Sequence, residues 1–274
     1  MTTSAKLPPG HDEVEASKAP LMEHLIELRT RLIYSLLAFI VAFFACYYFA
    51  KPIYQFLAWP LAHAMEGQPE RRMIATGVME TFFTYLRVAA FAAMCVSFPI
   101  VATQIWMFVA PGLYKHERSA FLPFLFATPV MFFLGAALAY YGLLPVAMKF
   151  FLSFEAPGAD GALPIQLEAR VSEYLSFIMS VIFAFGLSFQ LPVLLTLLGR
   201  VGIISSAWLV QYRRYAIVFS FVVAAVLTPP DVLSQVALAI PLCLLYEASI
   251  WIVRIFERDR AKAAKTREWP NAAE

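Results

Sequence analysis

The chain has 274 residues, of which 61% are hydrophobic and 15% charged, and 25 are Phe. A soluble domain of this size cannot hide so much apolar surface in one core, so the composition excludes a soluble enzyme and selects the bilayer as solvent. A formal net charge of +2 is too small for a nucleic-acid binder, so charge distribution carries more information than its sum.

Residues 1–20 are polar and mixed in charge, without the short apolar centre of a cleavable signal, and read as a flexible cytoplasmic tail. Residues 21–257 form the membrane domain, and residues 258–274 a second polar, disordered cytoplasmic tail. A spanning helix needs about 20 mostly apolar residues. In chain order the candidates are Leu32–Ala50, Thr81–Thr103, Ser119–Tyr141, Tyr174–Leu198, Tyr215–Leu227 and Val232–Val253. The fifth run holds only about 13 apolar residues, roughly 20 Å against a core near 30 Å. Thr228-Pro229-Pro230-Asp231 follows it at once and predicts a tight turn, hence a short helical hairpin.

Lys and Arg set the orientation. With the N-terminus inside, the inner segments carry fifteen of these residues and the outer segments five, with Arg87 inside the second run. The asymmetry predicts both termini in the cytoplasm, as an even span number requires. The outer loops, 51–80 and 142–173, are the longer ones, and Pro52–Trp59 and Leu143–Phe154 read as short helices on the outer surface. No internal repeat is visible, which disfavours an inverted-repeat transporter.

The lead-in to the first span, LMEHLIELRTRL, puts Glu23 and Glu27 four apart on one helical face beside His24, Arg29 and Arg31. The arginines fit a membrane border. The acids fit equally a helix start complementing the dipole or a functional role that the spacing alone does not specify. After the second span, Gln104, Trp106 and Phe108 lie at the border, Pro111-Gly112 predicts a turn, and Lys115, His116, Glu117 and Arg118 begin the next helix. Glu117 fits dipole complementation or a local pair with Lys115 or Arg118.

Gln190 lies within the fourth run and needs a polar partner, either a neighbouring helix or another subunit; Pro192 breaks the helical ladder beside it. Glu80 and Arg87 are seven apart near the outer end of the second span and are expected to pair. Glu247 lies near the inner border. Asp231 fits an N-cap of the last span better than a binding site, with Ser234 and Gln235 in its first turn.

Cys46, Cys95 and Cys243 each sit in an apolar run and read as small apolar fillers, and His11, His24, His63 and His116 form no metal set. There is no phosphate loop, nucleophile triad or zinc motif, so no metal, cofactor or catalytic residue is expected.

Four motifs, HLIELRTRL, FPIVATQIWMFVAPGLYKHER, YLSFIMSVIFAFGLSFQLPV and LTPPDVLSQVALAIP, occur in an order and topology that resembles TatC, the large subunit of the twin-arginine protein translocase. The likeness spans about Leu21 to Glu257. It implies an all-α integral membrane protein: six transmembrane helices in a concave bundle, both termini cytoplasmic, the last two spans short. It implies a bacterial inner-membrane receptor for twin-arginine signal peptides, exporting folded precursors with the proton-motive force. The implied partners are TatA-like and TatB-like single-span proteins, the lipid bilayer and further copies of the chain, with no nucleic acid. The ELR acid corresponds to Glu27 and the KHER acid to Glu117; Arg29, Arg31, Phe108, Tyr114 and Lys115 match the same pattern. Gln190, Asp231 and Gln235 are the polar residues expected to face a partner subunit or a neighbouring span. Many relatives resemble FEVP or FELP where this chain has Gln190, and an amide cannot titrate as that Glu can. The competing reading, a proton-coupled small-solute transporter, calls for charges near mid-membrane.

Overall fold

A computed structural model describes residues 11–65, 72–113, 122–156, 163, 167–227 and 232–268. The helices are α1 (His11–Tyr48), α2 (Ala50–Ala64), α3 (Glu80–Leu113), α4 (Leu122–Ala137), α5 (Leu144–Leu152), α6 (Val171–Ser188), α7 (Leu191–Val201), α8 (Ser206–Gln211), α9 (Arg213–Leu227) and α10 (Val232–Glu268). The start of α1, the end of α3, α8 and the end of α10 share one end of the bundle, called proximal below; α2 and α5 cover the distal end.

Among the described residues, five segments are long and apolar enough to cross a bilayer: Met22–Tyr48, Glu80–Phe108, Pro123–Leu152, Val171–Val201 and Ser234–Lys262. The fifth apolar run forms α9, a helix of only 15 residues. The final helix is not short, because its ladder continues past the apolar stretch to Glu268. The segment from 258 to 268, expected to be disordered, is therefore helical, and α1 likewise begins inside the expected tail at His11.

Two proline effects reshape the third and fourth spans. Pro145 has no N–H to offer the Tyr141 carbonyl, yet the chain does not turn away there. One π-helical turn, Leu138–Leu143, joins α4 to α5, with the Leu144 N–H donating to the Ala139 carbonyl. The third span thus runs on through Leu152, where the sequence predicted a stop and a separate surface helix. Pro192 removes the N–H that would meet the Ser188 carbonyl, and the ladder breaks at Phe189 and Gln190 between α6 and α7. Gly202, at φ 88°, ends α7: its N–H and that of Ile203 both return to the Leu198 carbonyl.

The core centres on α6. Leu175, Ile178, Val181 and Phe185 are buried in one cluster with Leu57 of α2, Leu144 of α5 and Leu238 and Leu242 of α10. Helices α4 and α6 approach closely because Gly135 faces the Phe185 carbonyl and Gly186 faces the Phe132 ring; a Cβ at either would sit within 2.6–2.7 Å of those atoms. Small residues bring α1 onto α3 too, through buried Cys46, Ala89 and Ala93. All three cysteines are free thiols.

At the distal end, the 50–80 and 142–173 segments meet in one parallel bridge between Ile74 and Arg170. The Glu80 carboxylate accepts from the Thr76 and Gly77 N–H groups and from the Ser172 N–H and hydroxyl. It does not pair with Arg87 as predicted; the helix start and the bridge occupy it instead. Pro60 interrupts α2 and leaves the Phe56 carbonyl without an N–H four residues on. The Tyr140 hydroxyl donates to that carbonyl at 2.6 Å. The Tyr174 hydroxyl inserts into the next rung, accepting from Leu61 N–H at 3.3 Å and donating to the Leu57 carbonyl at 3.0 Å.

Candidate functional site

The polar residues predicted at the border of the first two spans come together where α1 lies against α3. His24, Glu27 and Arg31 follow each other at spacings of three and four, so one stripe of α1 carries all three. Gln104, Met107 and Phe108 form the facing stripe of α3. The Arg31 guanidinium joins the two stripes: Nη2 donates to Glu27 Oε1 at 3.2 Å, and Nη1 donates to Gln104 Oε1 at 3.3 Å, with Met107 Sδ at 3.7 Å. His24 stacks on Phe108 with ring centroids 4.2 Å apart.

Glu27 is fixed but not sequestered. The side chains of Glu27 and Arg31 retain 32% and 29% of their accessibility, and no other described residue engages the Glu27 carboxylate. An exposed pair one turn apart contributes only about 0.3–0.5 kcal/mol, so a second cation can approach at small cost. Glu23 and Arg29 are exposed beside the stripe. Helix α3 continues through Pro111 and Gly112 to Leu113, where the sequence predicted a turn. Tyr114, Lys115 and Glu117 follow in the chain and lie outside the described residues, as does Asp231.

Gln190 takes a partner within the chain. Its Nε2 donates to the Thr128 carbonyl at 3.0 Å, while the Thr128 hydroxyl accepts from Trp106 Nε1 at 2.7 Å. The amide thus ties the α6–α7 break to α4 and, through Thr128, to α3. Gln235 reaches back across the last hairpin, its Nε2 3.4 Å from the Phe221 carbonyl.

Sequence reasoning missed three contacts at the proximal end. Arg213 grips Glu247 through two contacts, at 2.6 and 2.9 Å, joining α9 to α10. Glu257 accepts from the Ser206 N–H at 2.8 Å and from the Ser206 hydroxyl, securing the start of α8. Arg200 stacks over Phe124 and Phe256, at 5.9 and 5.3 Å. The Glu27–Arg31 pair had a legible signal in its spacing of four; the pairs across long sequence separations had none.

The same arrangement of helices recurs in known proteins. A family model described as Sec-independent protein translocase protein (TatC) matches residues 23–241. The chain belongs to the TatC family. The Sec-independent protein translocase protein TatC of Magnetococcus marinus is 52% identical over 254 residues, covering 92% of this chain and 91% of that protein. The TatC of Escherichia coli K12 is 40% identical over 238 residues, covering 86% and 89% respectively. A crystal structure of the twin-arginine translocase receptor TatC in DDM superposes with a TM-score of 0.72 at 37% identity, covering 84% of this chain and 98% of that one.

As a TatC with several apolar spanning helices, the chain is a multi-pass inner-membrane protein and a subunit of a protein translocase, not a catalytic enzyme. The small-solute transporter has no support among these relatives.

Proposed function

We propose that the α1–α3 border is where this TatC receives the paired arginines of a signal peptide carried by a folded precursor. The observation that carries the proposal is the half-exposed Glu27 carboxylate, oriented by Arg31 and left with an oxygen to offer. A guanidinium is planar and permanently charged, and its donor fork fits a carboxylate, whereas a lysine ammonium is a point charge. Glu117, the acid of the KHER motif, is the second proposed acceptor, with Arg29, Phe108, Tyr114 and Lys115 shaping the approach. Six membrane passages, with α9 as the fifth, put the Lys- and Arg-rich proximal end and both termini in the cytoplasm, where precursors are made. TatA-like and TatB-like single-span subunits are the proposed partners, and the proton-motive force is the proposed energy source, in line with the absence of a phosphate-binding loop from the sequence.

The test is binding of a fluorescent paired-arginine peptide to the purified full chain, against its paired-lysine twin. A charge-assisted hydrogen bond contributes roughly 1.5–3 kcal/mol, so Glu27→Gln should weaken the arginine peptide by about tenfold or more. The lysine peptide should bind weakly to both proteins. Equal capture of the arginine peptide by Glu27→Gln and the parent would remove Glu27 from the site.

A further inference from the structure

Arg87 stands in a membrane-spanning helix with its side chain exposed and, among the described residues, with no hydrogen-bond or ion-pair partner. It faces a cavity of about 500 Å³ between α3 and α6 whose other walls include Ser172, Ser176 and Ser180. Those serines recur every fourth residue, so they form one hydroxyl stripe down α6 from its distal start. Glu173 also lines this cavity, but Arg170 holds it at 2.8 Å, which balances its charge. Arg87 and Ser180 are shared with a second cavity of about 400 Å³, and there the walls turn apolar: Phe39 of α1, Phe91 and Met94 of α3, and Phe183 of α6.

The two cavities make one groove with a polar mouth toward the distal end and an apolar floor toward the membrane centre. Seven residues separate Arg87 from Glu80, a rise of roughly 10 Å, and Cβ bonds tilt toward a helix N-terminus. The guanidinium is therefore aimed back toward the distal border, at the depth where lipid phosphates meet acyl chains. An unpaired cation in the hydrocarbon region is costly and calls for an anion. A groove open to the bilayer is also never empty of lipid when no protein fills it.

We infer that this groove is a binding site for one anionic phospholipid, its phosphate held by Arg87 and the α6 serines and one acyl chain lying on Phe39, Phe91, Met94 and Phe183. The head-over-tail polarity of the walls matches that of a lipid, whereas a partner helix bearing a carboxylate would need only the charge. The site is independent of the Glu27 border, on the opposite end of α3.

The experiment is native mass spectrometry of the full chain released from nanodiscs of phosphatidylglycerol, phosphatidylcholine or an equal mixture. From the mixture, the parent should retain one phosphatidylglycerol in at least tenfold preference to phosphatidylcholine. Arg87→Gln should abolish that preference and Arg87→Lys keep most of it. Met94→Trp, which fills the floor without touching the charge, should lower retention as well, and paired-arginine peptide binding should report that each variant is folded. Equal retention of both lipids by the parent, or unchanged preference in Arg87→Gln, overturns the site. Displacement of the lipid by millimolar inorganic phosphate would show a bare anion site and overturn the lipid assignment. So would photo-crosslinking from position 94 that returns a single-span protein and no lipid.

Discussion

A single hydroxyl, that of Tyr174, inserts into the rung of α2 next to the one that Pro60 removes. It accepts from Leu61 N–H and donates to the Leu57 carbonyl, both within the buried core. Tyr174→Phe keeps the ring packing and strands that N–H without a partner. A buried donor left unsatisfied costs about 1–3 kcal/mol. Tyr140→Phe should cost less, because it orphans a carbonyl rather than an N–H and loses one donated bond. Thermal unfolding in detergent, followed by thiol labelling of buried Cys46, measures both; equal stability of Tyr174→Phe and the parent would contradict the account. Gln190 belongs to the same class of residue. Its sequence position demanded a polar partner but did not choose one, and the chain supplies its own at Thr128.

Among elements, the contact of α4 with α6 depends on two glycines rather than on large apolar side chains. At Gly135 a methyl group would meet the Phe185 carbonyl at 2.6 Å, a backbone atom that cannot rotate away; at Gly199 it would meet only the Val253 side chain, at 2.5 Å. Gly135→Ala should therefore destabilise by about 1–3 kcal/mol, the usual cost of overpacking, and more than Gly199→Ala. Cysteine crosslinking yield between α4 and α6 would read the separation, and the reverse order of the two variants would refute the reasoning. The helices themselves were legible because a 20-residue apolar run announces itself locally. The π turn at Leu138–Leu143 was not, since Pro145 signals a break equally well whether the chain turns away or absorbs one extra residue. The Glu27 stripe was half legible: α1 spacing exposes it, while its partners on α3 lie more than seventy residues away. Arg213 and Glu247, 34 residues apart, meet only because α9 and α10 fold back on each other, a relation that no local pattern encodes.

At the scale of the whole molecule, α9 is the anomaly. Its 15 residues rise roughly 22 Å, against about 30 Å of hydrocarbon. Neighbouring spans are 27–31 residues long, so the mismatch is confined to one edge of the bundle. Tyr215, Val218, Phe219, Val222 and Val226 are exposed on α9; on the proposed six-passage topology this short helix presents that apolar face to lipid. A short apolar face draws the bilayer thinner beside it, at fractions of a kcal/mol per Å. On that proposed topology, the thinned edge would lower the barrier to opening a passage, which gives the shortness of α9 a role to test. Four apolar residues inserted after Val222 add one turn, about 6 Å, and rotate the following face by only about 40°. Relieving that much mismatch withdraws on the order of 1–2 kcal/mol of strain, so export of a folded reporter should fall about tenfold. Paired-arginine peptide binding at the far end of α1 should not change. Brominated-lipid quenching of Trp208, the aromatic of α8 just before α9, would follow the bilayer depth directly. If export persisted at the parental rate while quenching reported a thicker bilayer, thinning at α9 would have no part in transport.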